Sequence, residues 1–205
     1  MQHSNCNKIE HVESNIILDG LMQRSCKMFN ALKKLPDDFE SFSELDIINR
    51  IADGLFVEHQ IACMSANWEE ALNAMELMYE LRMQNIQDTE DLLIPLYQSF
   101  INEIPQGGAI KFFVRENKLV RKNLDSFVHN ISNVVLYDTG NEVNLVKLFE
   151  SYHSFKDLLD HHDARKRVFL FKLLDEKVDS RNRESVLGKI NYNYTALINK
   201  IGLPV

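Results

Sequence analysis

Between Leu145 and Lys177 the chain reads LVKLFESYHSFKDLLDHHDARKRVFLFKLLDEK, without glycine or proline and with a helical period throughout. At about 100° per residue, Leu148, Tyr152, Phe155, Leu159, His162, Lys166, Phe169 and Leu173 fall in one stripe, spaced by alternating threes and fours. Such a stripe faces a core or a coiled-coil partner. At about 1.5 Å per residue the helix would run on the order of 50 Å. Its neighbours must then be long as well, or one end must project.

The remaining sequence agrees with long helices. Seven glycines and four prolines among 205 residues leave few interruptions, and 45% hydrophobic with 26% charged residues is an ordinary globular composition. The expected fold is all-α: an irregular bundle of about six or seven helices, with one long helix near 145–177. A chain of this length holds one substantial core or two small ones, so residues 1–205 are read as one helical domain. Any subdomain boundary belongs at 105–108, where IPQGG makes the strongest break. Residues 1–12 are polar and aperiodic, and are expected to be loosely ordered.

Charge changes sign at the same break. Residues 1–108 carry 7 Lys/Arg against 18 Asp/Glu, and residues 109–205 carry 16 against 12, giving −11 and +4. The acidic half works against binding nucleic acid or an anionic membrane. The two halves can instead attract each other, within a chain or between chains, and Arg121 and Lys122 can meet the acidic half or an anionic partner. Cys6, Cys26 and Cys63 are odd in number and widely spaced, which favours a reducing compartment over a disulfide or zinc framework. The first residues lack the build of a signal peptide and no apolar run is long enough to span a membrane, so a cytoplasmic location is expected.

Taken in order, Ile17, Leu21, Met28 and Leu32 keep helical spacing up to Pro36. Ser43 and Asp46 resemble a capping box opening a helix through Ile47, Ile51, Leu55 and Ala62, on which Glu58 and His59 read as surface. Asn67 can cap the next helix, where Trp68, Leu72, Met75 and Tyr79 form one apolar face and Ala71, Ala74, Met78 and Leu81 another, so that both sides should be covered. A separate helix is expected from DTEDLLIPLYQSFINEI, with Pro95 in its first turn and its end at IPQGG. Phe113, Val120, Leu124, Phe127, Ile131 and Val134 predict a helix, against a short hairpin about Arg115–Asn117. YDTGNE is a turn, and Val186, Leu187, Ile190, Tyr194, Leu197 and Ile201 predict a last helix ended by Gly202 and Pro204.

Two histidine groupings bear on chemistry. His153, Asp157 and His161 stand at i, i+4 and i+8 on the polar face of the long helix, beside Glu150 and Asp160, a spacing from which side chains can reach one metal ion. The plainer reading is a solvated face. His162 lies inside the apolar stripe, where a buried neutral ring with one hydrogen-bond partner is the common outcome. The segment LLDHHDARK resembles the His-Asp doublet of the HD-type phosphohydrolases, which would imply a metal held by His129, His162, Asp163 and Asp175 or Asp179. The run ANWEEALNAMELMYEL resembles the second helix of a tetratricopeptide repeat, and FKDLLDHHDARKR resembles the membrane-bending BAR modules of sorting nexins, which would imply an elongated helical dimer. No phosphate-binding glycine loop, G-x-S-x-G elbow or paired E-x-x-H motif is present.

The reading that follows is a non-enzymatic helical protein–protein interaction module, an adaptor, chaperone or scaffold that requires no cofactor and could form a homo-oligomer. Its surface is expected beside Trp68, Leu72, Met75 and Tyr79, or along His153, Asp157 and His161. A metal-dependent HD-type hydrolase is the competing class, and a BAR-like membrane-associated dimer an outside one.

Overall fold

A computed structural model of the chain describes Leu32, Leu35, Pro36 and residues 38–137 and 142–200. The helix expected before Pro36, the state of residues 1–12, the turn at Gly140 and the Gly202/Pro204 ending lie outside the described residues. Within them the fold is all-α. A 3-10 turn (Phe42–Leu45) leads into α1 (Asp46–Met64), and α2 (Trp68–Asp88) continues through a π-helical turn (Thr89–Leu93) into α3 (Ile94–Gln98). After a connector come α4 (Ile110–Tyr137), α5 (Glu142–Arg165), a second π-helical turn (Lys166–Phe171), α6 (Lys172–Lys177) and α7 (Ser180–Lys200). These make five continuous helical rods, since each π turn joins two segments without a break.

The long helix therefore forms as expected, with one change. Its stripe from Leu148 to Lys166 is buried, but at the π turn the phase slips, so that Leu170 and Phe171 are buried while Phe169 is only half so. No new helix begins at Asp88 either. Proline lacks an N–H and its ring clashes with the carbonyl four residues earlier, and the π turn ahead of α3 accommodates Pro95 without ending the rod. At 110–137 the helix prevails over the hairpin, with Phe113, Val120, Leu124, Phe127, Ile131 and Val134 all buried.

α2 packs against α1 and α4, α4 against α5, and α7 lies on α2. Aromatic rings close the ring of helices by joining α1 to α5 and α4: Phe56 lies 5.0 Å from Tyr152 and 5.8 Å from Phe155, and Phe127 lies 4.8 and 5.1 Å from the same two rings. These spacings and their edge-to-face angles suit aromatic quadrupoles. His59, read from the sequence as surface, is wholly buried among them. Its Nδ1 bonds the Ala71 carbonyl at 2.7 Å, so Nε2 accepts the Tyr152 hydroxyl at 2.6 Å. Burial lowers the His59 pKa and keeps the ring neutral.

The 3-10 turn that leads into α1 is not capped by its own sequence. Ser41 supplies no side-chain cap and the expected Ser43–Asp46 box does not form. Instead the Asp175 carboxylate, on α6, accepts from the Phe42 and Ser43 amides at 2.7 and 3.1 Å and from the Ser43 hydroxyl at 2.5 Å. The connector at 105–108 is likewise tied to the long helix. A Cβ on Gly107 would stand 2.7 Å from the Phe169 ring, and one on Gly108 would stand 2.5 Å from the Tyr97 hydroxyl, which itself donates to the Gly108 carbonyl. Only glycine admits so close an approach.

Replacing Tyr152 with Phe removes the hydroxyl donor to His59 Nε2 and leaves that buried nitrogen only the weak thiol donor of Cys63, 3.6 Å away. A loss of about 1–3 kcal/mol in unfolding free energy is expected from urea denaturation, with helix content unchanged.

Candidate functional site

α2 has apolar faces that cover both sides of the helix, yet Arg82, Asn85 and Thr89 continue one of them. The consequence is a charged network inside the bundle. Arg82 is 2% exposed. Its Nη1 donates to Asp163 Oδ1 and Oδ2 at 3.0 and 2.9 Å and to Asn49 Oδ1 at 2.9 Å, and its Nη2 donates to Asp53 Oδ1 at 2.6 Å. Burial alone would raise the Asp163 pKa, but Arg82, Lys166 and His162 outweigh it and hold the carboxyl below its ordinary range. Lys166, fully buried, donates from Nζ to Asn85 Oδ1. Burial depresses its pKa to about 8, with Asp163 pulling the other way.

A second buried carboxylate, Asp88, stands at the last residue of α2. Asp88 is 4% exposed; its Oδ1 accepts from Gln84 Nε2 at 3.0 Å and from Asn193 Nδ2, on α7, at 2.6 Å, while Oδ2 has no hydrogen-bond partner. Burial raises its pKa to about 6 against those two amides. Asp88 lines the inner end of a groove of about 540 Å³ between α2 and α7, whose walls carry Asp91, Glu184, Lys189 and Tyr192. Tyr192 is 74% exposed, an unusual setting for a large aromatic side chain. A Cβ built on Gly188 would meet nothing within 4 Å, so that part of the groove is open. A groove of similar size between α4 and α5 is lined by Asn123, Asn130, Lys147 and Ser151, without an exposed aromatic or an orphaned charge.

The residues singled out from the sequence are distributed otherwise. Of Trp68, Leu72, Met75 and Tyr79, Met75 is wholly buried, the other three pack half-buried against the core, and the Tyr79 hydroxyl donates to Asp125 Oδ1 of α4 at 3.0 Å. His153, Asp157 and His161 are exposed with Glu150 and Asp160, as a solvated face should be. The four residues of the HD reading do not converge. Asp163 is held by Arg82 and Asp175 by the 3-10 turn, His129 meets Asn133 at 3.0 Å, and His162, buried and with its pKa lowered by burial, has Glu116 Oε2 at a long 3.4 Å. Among the described residues no three His, Cys, Asp or Glu side chains are grouped to hold a metal ion, and no helix is long and apolar enough to cross a membrane. The expected attraction between the halves does form within the chain, where Arg121 donates twice to Glu90, at 3.0 and 2.8 Å.

No known family, curated protein or solved structure matches the chain. The geometry must therefore carry the argument alone. Lys166 has the lowered pKa of a reactive amine, but its full burial and its bond to Asn85 withhold it from any substrate. The groove at Asp88 is where the described residues combine concavity, an exposed aromatic ring and an unpaired buried charge.

Two measurements test this electrostatic picture. Arg82→Met strands Asp163 in the interior, and a loss of about 3–5 kcal/mol in urea unfolding is expected. A carboxyl whose folded pKa is raised stabilises the fold in its protonated form, a contribution fully present below about pH 4 and lost as pH rises through about 6. Asp88→Asn should accordingly raise stability at pH 7.5 by about 1–3 kcal/mol and change it little near pH 4.

Proposed function

We propose that the chain is a non-enzymatic helical interaction module that holds a partner protein in the groove between α2 and α7. The observation that supports this reading most directly is the cleft itself, where Tyr192 stands 74% exposed among the acidic side chains of Asp91 and Glu184. Tyr192 offers the rigid, amphipathic contact surface on which protein interfaces commonly anchor. The charged clusters that could have suggested catalysis are engaged with one another inside the bundle, which favours binding over turnover.

Benzoylphenylalanine placed at position 192 of the full chain, and separately at 161 on the exposed face of α5, tests the site. After irradiation in the native cell, a discrete crosslinked species from position 192 and none from 161 is the expected result. A species from 161 alone, or from neither position, would remove the groove from consideration.

A further inference from the structure

We infer that the groove between α2 and α7 receives an arginine side chain of the partner protein. The inference rests on the groove being the partner site proposed above, and adds the chemistry of the group that enters it. Three carboxylates, Asp88, Asp91 and Glu184, line the groove against a single ammonium, Lys189. Asp91 already accepts from the Gln87 side-chain amide, Asp88 Oδ1 is filled by Gln84 and Asn193, and Asp88 Oδ2 is shut off from solvent, so the acceptor open to an incoming group is the exposed Glu184 carboxylate. A neutral amide could satisfy it, but the excess of negative charge selects a cation.

Shape and hydration then choose among cations. Tyr192 sits on the same wall as Glu184, separated by two turns of α7, with the open face of Gly188 between them. A planar cation can lie over the Tyr192 ring within the negative field of the groove's carboxylates. Guanidinium does this better than ammonium: it is flat, stacks on aromatic faces, carries five donors in a fixed fork and is weakly hydrated, so entering a partly desolvated cleft costs it less. A bare metal ion is disfavoured, because no three acidic or histidine side chains among the described residues converge on one point. The molecule itself shows the chemistry in another place: Arg165 lies over the Phe112 ring at 4.8 Å while donating from Nε to Glu116 at 2.9 Å.

The test uses the isotope-labelled full chain, titrated with the capped tripeptide Ac-Gly-Arg-Gly-NH2 and followed by amide NMR. Saturable shifts are expected at the backbone amides of Gly188, Lys189 and Tyr192 and at the Asn193 side-chain amide. The isosteric, uncharged citrulline tripeptide should give no saturable shift there, and the lysine tripeptide should bind at least about threefold more weakly. The double variant Glu184→Gln, Tyr192→Leu, both exposed positions, should weaken arginine binding at least about tenfold with the rest of the spectrum unmoved. Equal binding of citrulline and arginine, shifts that map elsewhere, or no saturable shift overturns the inference. If the position-192 crosslink forms in that case, the groove still binds a protein and only the guanidinium is wrong. Saturable arginine binding without a crosslink keeps the guanidinium site and removes the protein partner.

Discussion

The Arg82 guanidinium is the contact on which the arrangement of this bundle depends. Two nitrogens reach Asn49 and Asp53 on α1 and Asp163 on α5, so one side chain fixes three helices in rotation about their own axes. Apolar packing alone leaves helices some freedom to slide and turn, whereas these bonds are directional and short. A lysine could supply the charge but not the planar fork. The arrangement also explains why carboxylates can lie inside the bundle at all: Asp163 is stable as an anion there only because Arg82 and Lys166 surround it.

Both π turns lie beside this network, one directly after Asp88 and the other beginning at Lys166. Each inserts a phase change into a long helix just where its buried polar residues give way to apolar ones. In the longer helix the buried positions before the turn follow the ordinary helical period, and after it the phase has slipped, which brings Phe169 over Gly107 and Gly108. The groove opens where α2 ends, with the buried Asp88 carboxylate tied to Asn193 of α7.

Much of the architecture was legible in the residues. The all-helical class, the long helix, the buried stripes of α4 and α7 and the two covered faces of α2 follow from spacing alone. The network was legible in part, since Lys166 and His162 stand at stripe positions and Arg82 and Asn85 continue the Ala71–Met78 face. A polar residue at an apolar phase marks a buried group, but its partner lies on another helix and has no signature in the local pattern. His59 was misread for that reason, because Tyr152 and the Ala71 carbonyl come from elsewhere in the chain. On the Trp68–Tyr79 face periodicity shows that the stripe is apolar but not how deeply each residue is covered: Met75 is wholly buried and Trp68, Leu72 and Tyr79 are half-buried. Tyr192 gave no signal beyond being an aromatic on the polar side of α7.

The cap at the start of α1 ties local order to distant sequence. The amides of Phe42 and Ser43 find their acceptor in Asp175, more than a hundred residues further along. On a ribosome adding about 5–20 residues per second, that carboxylate is made on the order of ten seconds after the amides it will satisfy. Until then the amides of Phe42 and Ser43 have only water to bond, and the cap that leads into α1 waits on nearly the whole chain.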